Sequence, residues 1–211
     1  MDNFSITQNG KPLDESLYTI DIEKKFFFSS ENNLVLDFTG LDGWTFKTDE
    51  RCFISYTFIT GNNCTFDTGG HCTFDTGMNC TFKTGQTCTF GTSDNCTFIT
   101  SSDCTFGTGE QCTFITGDDC NFKTDCQCTF KTDKRCTFNT SFSCIFNTGS
   151  ECNFKAGEQS TFNTGELCVF TLWDISDFKF KTYDGNSVIL DRSDKKSYLL
   201  TKEFIKNNKN M

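Results

Sequence analysis

The sequence predicts an all-β protein, a parallel β-solenoid with small β-rich caps at both ends. Three observations carry that expectation. An eight-residue pattern, C-T-F-x-T-G-x-x, recurs without a slip from Cys64 to Cys152. Apolar and polar residues alternate inside each octad. The composition is rich in Phe (26), Gly (16) and Cys (15) and nearly devoid of Pro (1) and His (1), so one ring type and one small thiol must fill most of the interior.

The first octad position is held by Cys64, Cys72, Cys80, Cys88, Cys96, Cys104, Cys112, Cys120, Cys128, Cys136, Cys144 and Cys152, with Ser160 and Cys168 continuing the phase. The third is held by Phe66, Phe74, Phe82, Phe90, Phe98, Phe106, Phe114, Phe122, Phe130, Phe138, Phe146 and Phe154, and the series runs on to Phe170. A period of eight cannot keep one face of a 3.6-residue helix, and β-branched Thr with recurring Gly also disfavours helix. In a strand, the first, third and fifth positions of C-T-F-x-T share one face. Those Cys and Phe residues are therefore the candidate core, while the second-position Thr and the variable fourth residue face outward. The remaining G-x-x is a corner, with Gly expected at positive φ.

One octad cannot close around a core, so a coil holds two octads, as a flattened roll, or three, as a triangular prism. Stacking every sixteen residues sets Asp67 beside Lys83 and Ile99 beside Ile115, with no like charges on consecutive rungs, whereas stacking every twenty-four sets Lys131 on Lys155. Opposed like charges destabilise a sheet, which favours two octads per coil.

The flanks read as caps over the open core and strand edges of a solenoid. Residues 1–43 form an acidic N-terminal β cap with a turn at Asn9–Gly10, strand-like Leu17–Glu23 and Leu34–Thr39, and the apolar run Phe26–Phe28. Residues 44–170 are the octapeptide solenoid. It is entered irregularly, with Trp44 and Tyr56 in the Cys slot and an insert at Cys52–Ser55. Residues 171–211 form a mildly basic C-terminal cap, a hairpin of Asp177–Tyr183 and Ser187–Asp191 around Asp184-Gly185-Asn186, followed by a short helix over Thr201–Asn207.

The formal charge of −9, from 19 basic and 28 acidic residues, speaks against a phosphate-binding surface, so no nucleic-acid partner is expected. No apolar run is long enough to span a bilayer and Met1–Gly10 lacks a signal-peptide layout, so no membrane partner is expected either. The cysteines are too regular, and odd in number, for a disulfide framework, and read as reduced buried thiols. A ladder spreads its sulfurs along a line where zinc needs a convergent tetrahedral set, so no metal or other cofactor is expected. Cys126 breaks the pattern at a corner and is the candidate exposed, reactive thiol. His71, the single imidazole, also lies at a corner. No nucleophile–base–acid set can be built around it, and the chain is not expected to be an enzyme.

The octads Cys72-Thr73-Phe74-Asp75-Thr76-Gly77 and Cys80-Thr81-Phe82-Lys83-Thr84-Gly85 resemble the C-T-F-x-T-G repeats of proteins from tailed phages and large DNA viruses, over residues 44–170. Cys120-Asn121-Phe122 and Cys152-Asn153-Phe154 are more distantly similar to pentapeptide-repeat proteins, whose period of five and square coil do not carry over. Neither resemblance supplies catalytic or ligand residues. The first implies a structural or attachment module of a phage or viral particle, found in the virion or the host cytoplasm. Its partners would be other protein subunits bound through the caps, including copies of itself. The second implies an acidic DNA-mimicking regulator, against which Lys83, Lys123, Lys131 and Lys155 count. The outward Thr column from Thr65 to Thr113 raises a third reading, ice binding; its mixed neighbour column, Asp67 to Lys123, weakens it.

Overall fold

The computed structural model describes residues 4–48, 56–181, 186–193 and 195–201. The chain divides into two compact units, Met1–Thr108 and Gly109–Met211. Each is all-β, built from two sheets of short strands that the chain visits alternately. The helical content of the described residues is two 3-10 turns, Glu15–Leu17 and Ile175–Asp177.

In the first unit the octad strands Thr65–Asp67, Thr81–Lys83 and Thr97–Ile99 pair in parallel in one sheet. Cys72–Asp75, Thr89–Gly91 and Thr105–Thr108 do the same in the other. Register joins each residue to its equivalent two octads away, as in Phe82 with Phe98 and Phe90 with Phe106. In the second unit Thr113–Ile115, Thr129–Lys131, Ile145–Asn147 and Thr161–Asn163 form one sheet and Asn121–Thr124, Thr137–Asn139, Asn153–Lys155 and Val169–Leu172 the other, in the same register. A coil is thus two octads, the flattened roll that charge pairing along the outer faces favours.

Inside a coil, the Phe of one sheet meets the Phe of the opposite sheet edge to face, as in Phe82–Phe90 at 5.3 Å and 76°. It stacks on the Phe of the next coil, as in Phe66–Phe82 at 4.9 Å and 2°. Both arrangements suit the ring quadrupole, and strand spacing delivers the stacking distance without adjustment. The octad Cys and Phe side chains of both units are buried, and many fifth-position Thr, such as Thr68, Thr76 and Thr84, are buried with them.

The corners depart from the expectation that Gly supplies positive φ. The left-handed residue is the last of the octad, whatever its type: Asn63, His71, Asn79, Thr87, Asn95, Asp103 and their counterparts through Leu167, all with φ near 58. That conformation aims the N–H along the stacking direction, so that Asn63 donates to the Met78 carbonyl, His71 to Gln86 and Thr87 to Ser102. Corner glycines serve close approach instead. A Cβ on Gly85 would lie 2.7 Å from the Gly70 nitrogen, because successive corners are joined by bonds such as Gly85 N–H to Gly69 O at 3.1 Å.

Parallel coiling runs beyond residues 44–170 at both ends. Phe26–Ser29 and Leu34–Phe38 pair in parallel with Thr45–Thr48 and Tyr56–Thr60, so residues assigned to the N-terminal cap already form coil. The cap proper is antiparallel. Ser5–Gln8 lies along Leu34–Phe38 and turns at Asn9–Gly10 into Lys11–Pro12, while Tyr18–Asp21 lies along Phe26–Ser29. Pro12 on the outermost strand removes a donor from an edge that would otherwise template another chain. Trp44 and Tyr56 fill the Cys slot and are buried, with Tyr56 in register with Cys72 and its hydroxyl donating to the Glu31 carbonyl.

At the C-terminal end Lys179–Phe180 and Val188–Asp191 join opposite sheets, each in parallel. They are therefore not the expected hairpin around residues 184–186. Phe180 stacks on Phe162 and Ile189 takes the Phe slot beside Phe170, so core packing continues the coil where local turn signals suggest a reversal. The hairpin that does form pairs Val188–Asp191 with Lys196–Leu199, its turn fixed by Ser193 donating from N–H and hydroxyl to the Asp191 carboxylate. The insert Cys52–Ser55, the residues Asp184–Gly185 and the helix expected beyond Thr201 lie outside the described residues.

Candidate functional site

The repeat places its chemistry in three kinds of column: thiols inside, mixed polar side chains at the corners, and Thr with a variable residue on the sheet faces.

The octad thiols donate to corner carbonyls, as Cys88 does to Gln86 O at 3.6 Å and Cys104 to Ser102 O at 3.4 Å. The neighbouring thiol and burial together push Cys64 (beside Cys80) and Cys144 (beside Cys128) far above the ordinary range. Cys128 moves the opposite way, because Cys112 and Cys144 can both donate to it, but it is fully buried and a thiolate there has no access to a reagent. Ser160 reproduces the pattern with oxygen, donating to Gly157 O at 3.0 Å and accepting from the Cys144 N–H at 3.3 Å. The thiols thus act as small apolar fillers that also cap a carbonyl.

Cys126 is not the exposed, reactive thiol that its corner position suggests. Its residue is only 8% exposed, its Sγ donates to Glu110 Oε2 at 3.1 Å, and the Glu110 carboxylate raises its pKa by favouring the protonated form. The sequence does hold the missed signal: Glu110 stands sixteen residues earlier, at the same corner position one coil away. His71 is half-buried and held by its own backbone bond to Gln86 O; among the described residues no hydrogen bond reaches its imidazole.

The corners also carry exposed ion pairs. Arg135 Nη2 lies 3.0 Å from Asp118 Oδ2 and 2.7 Å from Asp119 Oδ2, which holds Asp119 below the usual carboxylate range. A groove of about 220 Å³ is lined by Asp67, Thr68, Gly69, Gly70, Lys83, Thr84 and Gly85. It offers one ion pair, Lys83 Nζ to Asp67 Oδ1 at 3.5 Å, and neither nucleophile nor base. Among the described residues no three His, Cys, Asp or Glu side chains converge on a metal position. No helix among them is long and apolar enough to cross a membrane.

The sheet faces differ from one another in charge. In the first unit one face carries the column Lys47, Asp67, Lys83, with the aspartate between two lysines at 3.9 and 3.5 Å. The other face carries Asp37, Ile59, Asp75, Gly91, Gly107. Among the described residues of the second unit the outward strand positions include Lys123, Lys131 and Lys155 and no carboxylate, the acids lying at corners such as Glu110, Asp118 and Glu158. Searches against family models, curated proteins and solved structures find no match.

Proposed function

We propose that the protein is a non-catalytic structural or attachment module, a stiff solenoid segment of a phage or viral particle. The observation that carries this reading is the uniform use of the repeated side chains. The octad Phe and Cys, with Ser160 in one Cys slot, stack on their equivalents, and the variable fourth residues of the octads face outward. A catalytic site needs unlike groups brought to one point, whereas a column of like groups supplies stiffness and nearest-neighbour stability. The resemblance of the octads to phage and large-virus repeat proteins supports the viral setting.

The test is fractionation of particles produced in infected host cells, with an antibody against this chain. The reading expects the chain to co-purify with intact particles at a fixed ratio to a major structural protein. Recovery solely in the particle-free soluble fraction would overturn it.

A further inference from the structure

We propose that the protein associates with a second copy of itself by packing sheet face on sheet face, the Asp37/Asp75 face of one copy's first unit receiving the Lys123/Lys155 face of the other copy's second unit. The inference rests on the structural reading above and names the partner. Asp37 and Asp75 belong to one outward column, separated by Ile59, and so stand two rungs or about 9.6 Å apart. Lys123 and Lys155 belong to one outward column, separated by Asn139, with the same two-rung spacing. Each lysine can therefore meet one aspartate when two such faces are laid together about 10 Å apart, as packed sheets are.

These charges are left unpaired by the fold. Asp75, Lys123 and Lys155 are exposed, and among the described residues none of them, nor Asp37, has an ion-pair partner. On the opposite face of the first unit, by contrast, Asp67 is neutralised within its own column by Lys47 and Lys83. Asp37 is kept ionised by the Thr39 hydroxyl and N–H that donate to it.

The surroundings of the charges match as well. Past Asp75 the first-unit column continues as Gly91 and Gly107, where an added Cβ would make only ordinary contacts at 3.5 and 3.7 Å, so the fold itself does not require glycine there. Past Lys155 the second-unit column continues as Thr171 and Leu190, and Leu190 is exposed. With the coils in the same order, the two glycines leave room for those two side chains.

The experiment is sedimentation velocity of the full chain over a concentration series in reducing low-salt buffer. Wild type is expected to associate as concentration rises, and to associate less as salt screens the pairs. The variants Asp37→Lys/Asp75→Lys and Lys123→Glu/Lys155→Glu are each expected to weaken association by about tenfold or more, and their equimolar mixture to restore it, since opposite charges then face each other again. Lys131→Glu, on the other face of the second unit, should leave association unchanged. Circular dichroism confirms folding of each variant, all the positions being solvent-facing.

A wild type that stays monomeric, charge-reversal variants that associate as wild type does, or a mixture that fails to restore assembly overturns the inference. A chain found in particles but monomeric in solution removes this inference alone. Self-association of a chain absent from particles removes the structural reading instead.

Discussion

The octad coils and the flanking coils share one architecture but reach it with different side chains, and their ring geometry shows what repetition contributes. Among the octads, stacked rings are nearly parallel at a constant distance: Phe74–Phe90 at 4.9 Å and 3°, Phe122–Phe138 at 4.8 Å and 2°. In the flanks the in-register rings are less regular, Phe27–Phe46 at 6.2 Å and 45° and Phe162–Phe180 at 5.3 Å and 12°. Identical neighbours give every side chain the same environment, so one low-energy rotamer propagates along the sheet. Unlike neighbours must interlock instead. At the N-terminal end Phe4 lies on Phe38 at 4.9 Å and Trp44 meets Phe38 at 4.8 Å and 65°, filling the core opening by bulk.

The largest expected effect separates the two regions directly. Phe90→Ala, with rings stacked on both sides and two more edge-on, should destabilise the protein by about 3–5 kcal/mol, because fixed rung spacing prevents collapse into the cavity. Phe180→Ala, stacked on the one side by Phe162, should fall near the lower end, about 3 kcal/mol. Urea unfolding in reducing buffer measures both, and an equal or larger loss at Phe180 would break the contrast.

The thiol columns come next. Cys152→Ser should cost only about 1 kcal/mol, since a serine oxygen in that slot can reach the corner carbonyl as Ser160 does. A loss several times larger would show that the thiols contribute through packing that oxygen cannot replace. Of similar size and opposite sign is a corner change. Thr87 is a β-branched residue at φ 60, where Asn63, Asn79 and Asn95 hold the equivalent position on the other side of the coil. Thr87→Asn should stabilise by about 1 kcal/mol, because Asn tolerates the left-handed conformation far better. The same denaturation series reads it.

The smallest effect concerns the outer faces. Asp67→Asn removes two exposed ion pairs and should lower stability by no more than about 0.5 kcal/mol, a difference that high salt erases. A larger, salt-resistant loss would mean that face charges hold the coils in register rather than adjust their surroundings.

The repeat made the core and the outward columns legible in the sequence, and the charge pairing of Asp67 with Lys83, against Lys131 on Lys155 in a three-octad stack, favoured the two-octad coil without excluding the other. Three features were illegible for identifiable reasons. The left-handed position falls on residues as different as His71, Arg135 and Leu167, so no residue preference marks it; the need to point an N–H at the next coil sets it. The coil-forming role of Phe26–Ser29 and Val188–Asp191 is hidden because neither segment keeps the octad. The burial of Cys126 depends on Glu110, which is distant along the chain and adjacent only after coiling.

Period and alternation by themselves determined which side chains face inward and that like residues stack on like, because a strand has a period of two and every coil repeats the one before it; the choice of two octads per coil over three was settled by the register of the paired strands. Only the tertiary structure decided where coiling gives way to antiparallel caps, which corner residue turns left-handed and which face charges find partners. Those outcomes depend on backbone bonds and side-chain distances between successive coils, and residues sixteen positions apart become neighbours only once the chain has wound around its core.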